Sequence, residues 1–161
     1  MRTMIKLIAL SGLILALGPG LQDAAFADLE TYTATLSGAQ EVPPAATPAT
    51  GTASIVVDTD LLEGYWNLSF SGLTGSQTGA HFHNAPSGIN GGVVFGLPLG
   101  SPVNGVWTMT AVQYGELAAG NIYVNVHSTT FAGGEIRGQF TLDSVVEAES
   151  ESFGAVKSLF R

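Results

Sequence analysis

Three histidines are the residues of this 161-residue chain best suited to chemistry. Two fall in Gly79-Ala80-His81-Phe82-His83-Asn84, spaced i, i+2. On a β-strand such neighbours share a face and lie about 6 to 7 Å apart, so His81 and His83 point one way while Ala80 and Phe82 point the other. The third, His127, closes the run 121–127 (NIYVNVH), in which Ile122, Val124 and Val126 form one face and Tyr123, Asn125 and His127 the other. In both runs the apolar side chains claim one side and the imidazoles go with the polar side. Three neutral imidazoles on a rigid sheet are a donor set for copper or zinc, with a fourth position left open for water or substrate. Strand spacing alone puts His81 and His83 within reach of one ion, whereas His127 must be brought beside them by sheet pairing. The competing reading has each ring donate to a loop carbonyl or carboxylate and organise turns.

Glu135 and Arg137 fall on the polar face of the strand that follows His127. Glu135 could orient an imidazole from behind, and Arg137 could draw an anion to the site. A surface ion pair or a buried structural pair between the two is the plainer expectation. Glu41 could touch a ligand, but capping of the Pro43-Pro44 turn is the simpler use. No catalytic residue is assigned. The chain has no cysteine, no Gly-x-Ser-x-Gly elbow ahead of a helix and no phosphate loop, since Gly133-Gly134 reads as a hairpin turn. Tyr65, Trp66, Trp107 and Tyr123 could form a carbohydrate platform, yet alternation sends both tryptophans inward.

The elements that must position these residues are short strands. Tyr32, Ala34 and Leu36 alternate with threonines, and Ala53, Ile55 and Val57 with Thr52, Ser54 and Val56. Trp66, Leu68 and Phe70 alternate with Tyr65, Asn67 and Ser69, Trp107 and Met109 with Thr108 and Thr110. Ile136, Phe140 and Leu142 oppose Glu135, Arg137, Gln139 and Thr141. With Val93-Val94-Phe95 and the two histidine runs, this predicts about eight strands in an all-β, antiparallel Greek-key sandwich or barrel. One segment, 111–120 (AVQYGELAAG), breaks the pattern and reads as a short helical turn stopped by Gly120. The stretch 43–48 (PPAATP) cannot donate a regular ladder and reads as an extended connection.

At the N-terminus, Arg2 and Lys6 precede an apolar run over 7–17, followed by Gly18-Pro19-Gly20 and Ala25-Phe26-Ala27. This is the layout of a secretory signal peptide cleaved after Ala27, and the run is short for a membrane span. The expected organisation is a signal peptide over 1–27, one domain over 28–143 and a tail over 144–161. The tail is acidic and then places Phe153, Val156, Leu159 and Phe160 at helical spacing, as a short amphipathic helix or a disordered end. The mature protein is expected to be exported, periplasmic or extracellular, with no membrane span. It keeps three basic against twelve acidic residues, a formal net charge of −9. Such a chain repels phosphate backbones, which argues against nucleic acid as a partner.

Several blocks, in order, resemble the CHRD domain, the module named after chordin. Gly38-Ala39-Gln40-Glu41-Val42-Pro43-Pro44 and the stretch 46–53 look like its opening. Leu73-Thr74-Gly75, Ala80-His81-Phe82-His83, Gly92-Val93-Val94-Phe95 and Gly105-Val106-Trp107 follow. The run from Gly120 to His127 and then Gly133-Gly134-Glu135-Ile136-Arg137-Gly138-Gln139 is the most distinctive. Asn84 stands where that family usually has glycine. The resemblance implies an exported protein, since such domains occur in exported bacterial proteins and as repeats in a secreted animal antagonist of growth factors; it implies no reaction. A second likeness is to the copper half of copper/zinc superoxide dismutases. On that comparison His81 and His83 match the paired copper ligands, His127 the late-strand ligand, and Arg137 the anion-guiding arginine. The bridging histidine, zinc loop and cysteines are missing, which weighs against dismutase activity more than against the metal. The expected function is therefore binding of copper or zinc through His81, His83 and His127. The alternative is a non-catalytic module that binds an extracellular protein or serves adhesion, with structural histidines.

Overall fold

Period-two alternation resolves into nine antiparallel strands and one helix across residues 28–146, which the computed structural model describes. The expected signal peptide, and the tail from residue 147 onward, lie outside the described residues. Strands β1 (Leu29–Ser37), β2 (Thr50–Asp58) and β3 (Glu63–Ser71) form a meander; β4 (Gln77–Asn84) and β5 (Gly92–Leu97) form a hairpin. After β6 (Val103–Thr108), helix α1 (Ala111–Ala118) leads to β7 (Ile122–Ser128), β8 (Ile136–Gln139) and β9 (Thr141–Val146). The order across the sheet is β5-β4-β7-β8-β1-β2-β3-β6, with β9 beside β1. Non-consecutive strands are thus neighbours at β4–β7, β8–β1 and β3–β6, the crossover feature of Greek-key proteins.

The sheet curls until its two ends face each other. Trp66 of β3 meets Phe82 of β4 edge-on at 6.1 Å, and Phe82 lies 5.5 Å from Trp107 of β6. The result is a nearly closed antiparallel barrel whose interior takes the apolar half of every alternation. Tyr32, Leu36, Ile55, Leu68, Phe82 and Phe140 are all buried there. Each such side chain stabilises the fold by about 1.5 to 3 kcal/mol, so the core is ample without disulfides. Both tryptophans point inward as the alternation requires.

Helix α1 forms where the sequence leaves the period of two. The Thr110 hydroxyl accepts from the Gln113 N–H at 3.2 Å, and the Gln113 side chain accepts from the Thr110 N–H at 2.9 Å. This capping box satisfies two orphan donors of the first turn. Buried Leu117 anchors the helix to the core, and it hands the chain to β7.

Two local differences from the sequence pattern arise at the last strand. β9 runs to Val146, so Ser144, Val145 and Val146 of the expected tail pair with β1 instead. Leu142, placed with Ile136 and Phe140 by alternation, is 52% exposed. The ladder breaks at Phe140, whose N–H bonds to the Ile122 carbonyl, and beyond it the strand, paired with β1, is exposed throughout.

Candidate metal centre

Antiparallel pairing of β4 with β7 sets Gly79 opposite His127, His81 opposite Asn125 and His83 opposite Tyr123. Residues opposite each other share a face, so all three imidazoles emerge on the outer side of the sheet, with Phe82 and Val124 inside. The rings converge. Centroid separations are 5.1 Å for His81–His127, 5.7 Å for His81–His83 and 6.0 Å for His83–His127. One nitrogen from each ring lies within 4.8 Å of the others. Gly79 makes this possible, because a Cβ at that position would stand 3.0 Å from Cε1 of His81.

The hydrogen bonds orient two of the rings. His83 Nδ1 lies 3.0 Å from the Gly91 carbonyl, and His127 Nδ1 lies 3.0 Å from the Ala132 carbonyl. A carbonyl only accepts, so both Nδ1 atoms carry the proton and both Nε2 atoms keep a free lone pair. Both Nε2 atoms are buried without a hydrogen-bond partner, and so is Nδ1 of His81. A buried polar atom left unpaired costs about 1 to 3 kcal/mol, and here there is one on each ring. Burial lowers the pKa of His83, helped by His127, His81 and Arg137 and opposed by the Gly91 bond. Burial likewise lowers that of His127, with His81 adding to the effect. Burial therefore favours, for His83 and His127, the neutral form that ligates a metal.

The other polar residues of this face do not touch the open nitrogens. Glu135, fully buried, accepts from the Thr47 hydroxyl at 2.6 Å and the Thr74 N–H at 2.7 Å, tying two loops to the barrel rather than orienting a ring. Arg137 is 1% exposed, and its guanidinium donates to the carbonyls of Ile89 (2.9 Å) and Pro86 (3.3 Å) and to the Gln139 side chain (3.0 Å). Its guanidinium is taken up by the 85–91 loop and Gln139 rather than exposed to an incoming anion, the place that the dismutase likeness implied for it. The two residues take different partners instead of pairing. Glu41 is buried beside Asn125, whose Nδ2 donates to it at 3.3 Å, and burial pushes its carboxyl up to about 7 against the pull of Arg137 and Asn125.

Tyr123, weighed in the sequence only as part of a carbohydrate platform, lies against the histidine cluster instead. Its ring stacks on His83 at 5.0 Å with an interplanar angle of 11°, and the Arg137 guanidinium carbon sits 3.4 Å from the centre of the Tyr123 ring. Its hydroxyl accepts from the Gly91 N–H at 3.0 Å. The available signal was parity: Tyr123 shares the polar face with His127, but its pairing with His83 depends on the β4–β7 register.

The family model for the CHRD domain matches residues 32–140. No curated protein and no solved structure matches the chain.

Proposed function

The chain belongs to the CHRD-domain family, and on that premise we propose that it binds one transition-metal ion, copper or zinc, through His81, His83 and His127. One observation carries this reading: the three rings converge, with one nitrogen of each within 4.8 Å of the others, and each ring keeps a buried nitrogen without a hydrogen-bond partner. Neutral imidazole suits both metals, and three such ligands leave a position for water or another ligand. The ion would satisfy all three orphaned atoms at once.

Binding rather than turnover fits the surroundings. Arg137 is buried behind Tyr123, and the mature chain expected from the sequence carries a net charge of −9, which does not steer anions inward. We infer export from residues 1–27, so the ion would be met in the periplasm or outside the cell. The test is a thermal melt of metal-free protein with increasing zinc or copper. Preferential binding to the native state raises Tm progressively with free metal, by an amount equivalent to about 2.7 kcal/mol at a hundredfold excess over Kd. The rise should vanish in His83→Ala/His127→Ala. If wild type shows no rise with either metal, the histidines are turn organisers and the protein-binding reading takes over.

A further inference from the structure

His83 owes its orientation to a loop as much as to its own strand. The connection from β4 to β5 leaves the sheet at Ala85 and returns at Gly91, and its carbonyls turn towards the barrel. Arg137 holds two of them, Pro86 and Ile89, through separate nitrogens, and reaches the Asn90 side chain at 3.5 Å. Gln139, on the same strand, donates to the Ala85 carbonyl at 3.0 Å. At the far end the Tyr123 hydroxyl accepts the Gly91 N–H, while the Gly91 carbonyl accepts from His83 Nδ1. Gly91 has no room for a side chain, because a Cβ there would overlap the Asn84 carbonyl.

Arg137 and Tyr123 therefore act as a pair. The guanidinium lies on one face of the Tyr123 ring, and His83 lies parallel to that ring. The hydrogen-bond acceptors of Arg137 are all neutral oxygens, an unusual setting for a fully buried cation, and every one belongs to the loop or to Gln139. A lysine could not reproduce this, since one ammonium cannot stack on a ring and span two carbonyls in a fixed fork.

We propose that Arg137 and Tyr123 are positioning residues for the metal centre: together they pin the 85–91 loop, set the Gly91 carbonyl against His83 Nδ1 and so keep the His83 Nε2 lone pair aimed at the ion. The inference rests on the metal reading for its function, though the positioning stands on the hydrogen bonds alone. His127 provides an internal control, because its Nδ1 is fixed by Ala132, which takes no part in this network.

The experiment uses the full protein with Arg137→Lys and Tyr123→Phe, each confirmed to be folded by circular dichroism. Long-range ¹H–¹⁵N spectra of the metal-free proteins at pH 8 report the tautomer of each histidine, and zinc competition titrations report affinity. Wild type should show His83 and His127 both as the Nδ1–H tautomer. In each variant His83 should become a mixture while His127 is unchanged, and zinc affinity should fall 10- to 100-fold, the usual effect of losing an outer partner of a ligating histidine. A folded variant that keeps His83 as Nδ1–H and binds zinc within twofold of wild type overturns the proposal. Should Arg137→Lys not fold, Tyr123→Phe decides, because it deletes only the hydroxyl that receives the Gly91 N–H. If wild type binds no zinc while the His83 tautomer still depends on both residues, the metal reading fails and the positioning survives.

Discussion

His83 and His127 each commit one nitrogen to a backbone carbonyl and leave the other open, and that division governs their response to pH. Both have pKa values lowered by burial. A histidine titrating lower in the folded than in the unfolded state stabilises the fold while neutral. That contribution is complete above the ordinary value of 6.5 and is lost as pH falls from 6.5 through the lowered folded values. Metal-free protein should therefore lose Tm on acidification below 6.5, and His127→Ala should flatten that loss. The metal-dependent rise should persist somewhat below pH 6.5, because protons compete for these rings only at lower pH; melts at paired pH values with and without zinc measure both. Glu41 works in the opposite direction. Its carboxyl, raised to about 7, keeps its proton more firmly in the folded state, so its contribution is full below 4.5 and is lost as pH rises through about 7. Glu41→Gln should accordingly raise Tm relative to wild type at pH 8 and change it little at pH 4. Gly79→Ala should leave the fold intact yet weaken zinc binding by about tenfold, since the added carbon presses on the His81 ring.

The strands do the positioning, and they were the most legible part of the sequence. Alternation through Tyr32–Leu36, Ala53–Val57 and Trp66–Leu68 marked which side chains would be buried, and the capping-box spacing of Thr110 and Gln113 lies behind the helix over 111–120. Parity also assigned His81, His83 and His127 to outward faces. What parity cannot supply is the neighbour of a strand. That β7 lies beside β4, with Gly79 opposite His127, is a pairing between segments far apart in the chain and leaves no local mark. The same gap left open whether Glu135 and Arg137 would be buried: alternation placed them on the polar face, but the loops covering that face come from elsewhere in the chain. At this scale Phe82→Ala should cost about 3 to 5 kcal/mol, because its ring packs against Trp66, Trp107 and Phe140 at the centre of the core. Chemical denaturation at pH 7 measures it, and a loss below 1 kcal/mol would mean that the barrel ends do not meet there.

The whole molecule separates its stability from its site. The core lies inside the barrel and the imidazoles outside it, so the chain should fold without metal and gain stability on binding it. His81→Ala should melt within about 1 kcal/mol of wild type in metal-free buffer, since that ring forms no hydrogen bond through its buried Nδ1. His83→Ala should cost more, about 1 to 3 kcal/mol, because it strands the Gly91 carbonyl. The central claim is that these three rings hold one ion together. X-ray absorption spectroscopy of the protein loaded with one equivalent of zinc and exchanged into metal-free buffer tests it most directly. Zinc should be retained, with three imidazole nitrogens at about 2.0 to 2.1 Å and one further light atom. Zinc lost on exchange, or a shell of oxygens without imidazole scattering, would contradict it.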